Sequence, residues 1–130
     1  MPKLIGLFRR KDGLTPAEFR DYYENHHAPF AVSLFGHLFA GYTRSYVDHG
    51  DGQPAPGRRA PEFDVVTEIV FADEAAMEAM FAMSAANPEV REAIAADEAA
   101  FMDRDATRLL IVKDHTISLL EHSVRPGMDR

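Results

Sequence analysis

Thr15-Pro16-Ala17-Glu18-Phe19-Arg20-Asp21-Tyr22-Tyr23-Glu24-Asn25-His26-His27-Ala28-Pro29-Phe30 reads as a capped helix that runs into two histidines and then a proline. Thr15 with Glu18 three places on is a capping box, and Pro16 takes the first helical position, where its missing N–H does no harm. Phe19, Tyr23, His26 and Phe30 fall on one stripe, with Asp21, Glu24 and Asn25 on the other side. Pro29 is the anomaly. Inside a helix it lacks a donor and collides with the carbonyl of Asn25, at a cost of roughly 3 kcal/mol or more, so something other than helix stability selects it. A straight wheel puts His26 mid-stripe and His27 at its edge. A kink at Pro29 turns that end, so either histidine can face inward.

Upstream, residues 3–9 are apolar enough for a strand buried on both faces, and Lys11-Asp12-Gly13 supplies a turn. Downstream, polarity flips at Gly41, and Tyr42–Val47 reads as a second strand, followed by a Gly/Pro-rich loop from His49 to Pro61 that is expected to be mobile. Phe63–Phe71, rich in β-branched residues, is the clearest strand. Asp73 caps a helix carrying Met77, Met80 and Phe81 inward, Asn87-Pro88 starts a second piece carrying Val90, Ile94 and Phe101, and Arg108–Lys113 is the last strand. The order β-α-β-β-α-β is the ferredoxin-like α+β arrangement, a sheet with helices on one side. Its other face is too apolar for water, which predicts a homodimer closed over that face.

At 130 residues the chain is one domain on size. We assign 1–116 to that domain and 117–130 to a C-terminal extension, polar from Ser123 to Arg130. The formal charge of −7 argues against a nucleic-acid surface, which needs clustered positive charge. Without cysteine there is no thiol nucleophile, disulfide or thiolate metal site. No signal segment or membrane-length apolar run is present, and we expect a cytoplasmic protein with a small-molecule partner and no membrane contact.

The strand Leu4–Phe8, the basic turn ending in Gly13, the Thr15-Pro16 helix start and His27-Ala28-Pro29 resemble the EthD family of small dimeric α+β-barrel proteins. The likeness runs from Lys3 to about His115 and includes Asp64 to Phe71. Departures are Tyr23, where the family often has tryptophan, the extra His26, a longer loop around Gln53 to Arg59, and the tail. The resemblance implies small-molecule chemistry of the kind found in degradation and polyketide tailoring. Relatives in the wider superfamily include cofactor-independent monooxygenases, lactone isomerases and decarboxylases.

Imidazole can give and take a proton near neutrality, which makes the histidine pair the main candidate site. Matching His-Ala-Pro by residue selects His27 as the catalytic base, with His26 in reserve as a substrate-binding residue. Asp64 and Glu68 share one side of the third strand, with Val66 between them, and either can face a cavity or pair with Arg44. The family pattern of acidic residues in this strand favours Glu68 as the second catalytic group and Asp64 as a binding group. Tyr23, Phe30, Tyr42 and Tyr46 complete the expected substrate contacts. Asp97, ahead of Phe101 and Met102, reads as a solvated helix residue. Adjacent histidines lack the i,i+4 spacing of a helical metal pair, no Gly-rich phosphate cradle or serine elbow is present, and we assign neither metal nor cofactor. Two functions follow as expectations. One is an enzyme on a small cyclic or aromatic substrate, in which His27 removes a proton on the way to oxidation, isomerisation or elimination. The other is a non-catalytic dimeric accessory protein carrying a hydrophobic metabolite.

Overall fold

The computed structural model describes residues 1–50 and 56–115; the expected tail and the middle of the loop from His49 to Pro61 lie outside the described residues. Strands β1 (Lys3–Arg10), β2 (Phe39–Tyr46), β3 (Val65–Phe71) and β4 (Met102–Val112) form one sheet in the order β2-β3-β1-β4. All neighbours are antiparallel. Helices α1 (Pro16–Tyr22), α2 (Ala28–Phe35), α3 (Glu74–Ala86) and α4 (Pro88–Ala99) connect them in the expected ferredoxin-like order.

Alternation along the strands sorts the sheet into two faces. Leu4 and Phe8 of β1 and Val65, Thr67 and Phe71 of β3 are buried under the helices. Lys3, Ile5 and Leu7 lie opposite Val70, Glu68 and Val66 on the other, open face. The core divides in two. Phe8, Phe19, Tyr23, Val65, Phe101 and Met102 gather at one end, and Leu4, Phe35, Phe71, Met77 and Met80 at the other. Gly6 sits on the helix face where a Cβ would come within 2.8 Å of the Phe8 ring, so its lack of a side chain makes room for that ring.

Several boundaries differ from the sequence expectation. β2 begins at Phe39, ahead of Gly41, because Phe39 still pairs with Phe71 beyond a register slip that leaves Ala40 without a partner. β4 begins at Met102, six residues before Arg108, because Met102 and Asp103 pair with Arg10 and Arg9 beyond a register shift. Phe101 therefore belongs to the turn after α4, where it is fully buried. Phe81 is 41% exposed, while Met77 and Met80 are buried as expected.

The capping box at Thr15 forms as read. Pro29 does not end the helical path. Tyr23–His27 instead forms one π-helical turn, in which the Ala28 N–H bonds to the Tyr23 carbonyl, and α2 starts with Pro29 in its first turn. The wider turn moves the proline out of a helix interior, where its missing donor is harmless. It also holds each residue back slightly in phase, so Phe19, Tyr23 and His27 point inward together, while His26 is exposed.

Candidate functional site

His27 is only 8% exposed, yet it lines a cavity of about 220 Å³ between the helices and the sheet. Larger crevices, of about 680 and 620 Å³, open on the surface around Met1–Lys3 and along Arg9–Leu14, and are lined mostly by surface residues. The cavity beside His27 is walled mainly by Leu4, Phe8, Leu34, Phe35, Phe39, Ile69, Met80 and Ile94. A few polar groups converge there on an apolar chamber, the usual makeup of a small-molecule site.

The His27 ring packs edge-on against Tyr23, with centroids 5.2 Å apart, and lies tilted against Phe101 at 5.0 Å. Its Nδ1 lies 2.6 Å from Oδ2 of Asp97, a residue of the last turn of α4. Oδ1 of the same carboxylate accepts the Tyr22 hydroxyl at 2.7 Å. Burial first, and then the bond to Asp97, pushes the Tyr22 hydroxyl up to about 12, so it stays a donor. An ionised carboxylate only accepts, and the proton between it and His27 therefore sits on Nδ1. Nε2 is left as the nitrogen that can accept a proton, the arrangement by which a carboxylate orients a histidine for proton transfer.

A second polar line crosses the floor of the cavity. The Tyr42 hydroxyl donates to that of Tyr23 at 3.0 Å, and Tyr23 lies 2.6 Å from Oγ1 of Thr67. Burial pushes the Tyr23 phenol well above its ordinary range and raises that of Tyr42, so both stay protonated. The Arg44 guanidinium lies over the Tyr42 ring, 4.7 Å from its centroid. Arg44 is held from α1's side by Glu24, through Nε at 2.7 Å and Nη2 at 2.9 Å. These bonds keep the Glu24 carboxyl below its usual range.

The EthD domain family matches residues 11–105. The chain belongs to the EthD family. Solved EthD structures carry the same fold. An ethyl tert-butyl ether D family protein of Bacillus halodurans C-125 superposes with a TM-score of 0.59 at 18% identity, covering 88% of this chain and 99% of that one. An EthD-like protein of Ralstonia eutropha JMP134 gives 0.60 at 20% identity, covering 99% and 96%. A protein of Arabidopsis thaliana gives 0.57 at 18%, covering 92% and 100%. At such identities the likeness concerns the fold. No curated protein matches the chain in sequence. Among the described residues, no helix is long and apolar enough to cross a membrane.

The EthD fold brings some of the expected site residues together and separates others. His27, Tyr23, Phe30 and Tyr42 all line the cavity. Tyr46 packs behind it on Phe19 and Tyr23 and gives its hydroxyl to Glu24. His26 leaves the stripe and stacks on Tyr22 at 4.7 Å. Glu68 lies on the open face, bonded to Lys3 at 2.8 Å, and cannot reach His27 through the sheet. Asp64 is buried away from the cavity, taking the Arg10 N–H at 2.8 Å, the Arg10 guanidinium at 2.7 Å and His49 at 3.0 Å. The lining residues of this cavity all come from a single chain.

The carboxylate that meets His27 is Asp97, whose side chain is 15% exposed and not solvated as its helix position suggested. Its signal was faint: an acidic residue one helical turn before a buried aromatic. Thr67 was legible only by parity, as the residue between two open-face positions of β3.

Proposed function

We propose that this EthD protein is a proton-transfer enzyme acting on a small cyclic or aromatic molecule held in the cavity beside His27. The observation that carries this reading is the 2.6 Å contact of Asp97 with Nδ1 of a histidine on an apolar cavity wall. A base so oriented needs no reorganisation at the moment of transfer, and the apolar walls keep water from competing for it. The substrate binds with an acidic C–H or O–H toward Nε2. His27 takes that proton, and the bonding pair stays on the substrate as an enolate or phenolate. Reprotonation at another carbon gives isomerisation, loss of a neighbouring leaving group gives elimination, and dioxygen as co-reactant gives oxidation. Each of these uses the same first step.

The volume of about 220 Å³ suits a single ring with short substituents. The pair Glu68 and Lys3 on the open sheet face has no part in this step. That face carries Ile5, Leu7, Val66 and Val70 and is the surface on which we place a second copy of the chain. A homodimer would cover it without altering the cavity. Size exclusion with light scattering checks this, and a stable monomer at micromolar concentration would refute it.

Exchange of substrate protons with solvent deuterium, followed by NMR over a panel of small cyclic ketones, aryl ketones and phenols, tests the reaction class. Wild type is expected to exchange at least one compound with saturation kinetics, and His27→Gln to lose the rate by roughly 10²–10⁴-fold with the fold intact. Saturable binding without exchange across the panel would instead identify a carrier.

A further inference from the structure

We propose that the Thr67 hydroxyl is the hydrogen-bond donor that receives the substrate's oxygen, making the cavity a site for carbonyl compounds. This rests on the reading of the cavity as the substrate site, and adds where the oxygen goes. The argument follows the single proton each hydroxyl owns. Tyr42 donates to Tyr23 at 3.0 Å. The oxygen of Tyr23, having accepted there, has one proton left, and its remaining partner is Thr67 at 2.6 Å. We assign the Tyr23 proton to this bond, so that Thr67 accepts from Tyr23 and keeps its own proton for a group in the cavity. Thr67 is 3% exposed and lines the cavity.

A buried donor of this kind is costly until something accepts from it. The polarity of the chain is reinforced from its far end, where the Arg44 guanidinium over the Tyr42 ring makes that phenol a better donor than acceptor. Three hydroxyls thus point one way, and the last of them opens into an apolar chamber that His27 also lines.

The group that fits is a carbonyl or lactone oxygen on a small ring compound. As His27 takes a proton from the carbon next to the carbonyl, the C–H pair moves into a C=C bond and the carbonyl π pair onto oxygen. Negative charge then grows where the Thr67 donor already stands. Preorganised donors of this kind stabilise the transition state more than the bound substrate. Phenols, whose oxygen both donates and accepts, fit the same position less selectively.

The carbonyl stretching band of bound acetophenone reads this contact directly. In wild type the band is expected to move to lower frequency relative to acetophenone in an apolar solvent. The shift should be lost in Thr67→Val, which keeps the side-chain shape, and restored in Thr67→Ser. His27→Gln should leave the shift in place, since that ring is not the donor. A proton-transfer step that fails while the shift persists would therefore overturn the base and not the oxygen site. A measurement on wild type alone stands beside the variants: acetophenone should bind at least about 10-fold tighter than α-methylstyrene, the same shape without the acceptor oxygen. An unshifted band, a shift that survives Thr67→Val in a folded protein, equal binding of the two compounds, or no acetophenone binding at millimolar concentration would overturn the proposal.

Discussion

Two histidine–aspartate pairs occur in this small domain, and their surroundings give them different work. His27 meets Asp97 through Nδ1 at 2.6 Å, and the other oxygen of Asp97 goes to a neutral tyrosine hydroxyl. His49 meets Asp64 through Nε2 at 3.0 Å, but Asp64 already holds the Arg10 guanidinium and the Arg10 backbone N–H. The backbone of Asp64 also pairs with Phe8 and Val47, so this residue ties the ends of β1 and β2 together. Asp64 is thus neutralised by an arginine and acts as a clasp. Asp97 takes its bonds from a phenol and an imidazole beside a cavity, which leaves its charge to act on His27. The residue types do not distinguish the two pairs; the third partner and the neighbouring space do.

The largest expected effect separates the histidines. His27→Gln should lower proton exchange by roughly 10²–10⁴-fold, whereas His49→Gln should change it by less than about twofold, both with near-normal melting. Comparable losses in both variants would erase the distinction.

Asp97→Asn tests whether the carboxylate positions the ring. The rate should fall by about 10–100-fold, as for other groups that orient a reactive residue. Nitrogen-15 NMR should show the neutral His27 ring changing from a single Nδ1–H tautomer to a mixture. A rate loss with the tautomer unchanged would assign Asp97 a merely structural part.

Asp64→Asn should do the reverse. Stability is expected to drop by about 1–3 kcal/mol in urea unfolding, below what breaking a fully buried pair costs because Arg10 is partly exposed. Exchange per folded molecule should stay normal. A lost rate at full stability would mean that the clasp reaches the cavity.

The smallest effect concerns Glu24, a third carboxylate, held by Arg44. Its folded pKa is depressed, chiefly by the Arg44 hydrogen bond, so its contribution to stability is present above its unfolded pKa and fades as pH falls through the lowered folded value. Arg44→Met should flatten this part of the acid-unfolding profile. An unchanged profile would show the surface pair to be energetically silent.

Local rules carried much of the fold. The capping box, the proline at N1, the β-branched third strand and the element order are near-neighbour features of the chain, and each forms as read. The boundaries of β2 and β4 were hidden because Phe39 and Met102-Asp103 become strand residues only through the ladders they join beyond a register shift. The site was legible in part. His27, Tyr23, Phe30 and Tyr42 lie on the cavity, while the choice of Glu68 failed because strand alternation says which residues share a face and not which face meets the helices.

The sequence by itself determined that a capped helix runs into a proline, that strands and helices alternate in a ferredoxin-like order, and that a histidine at that helix is the best acid–base candidate. Only the tertiary structure decided which histidine turns inward and which carboxylate it meets. A single π-helical turn brought His27 into line with Phe19 and Tyr23, and the packing of α4 set Asp97 beside it from 70 residues away. Helical phase depends on every turn before it, and contacts between distant segments depend on the whole core. Neither can be summed from the preferences of adjacent residues.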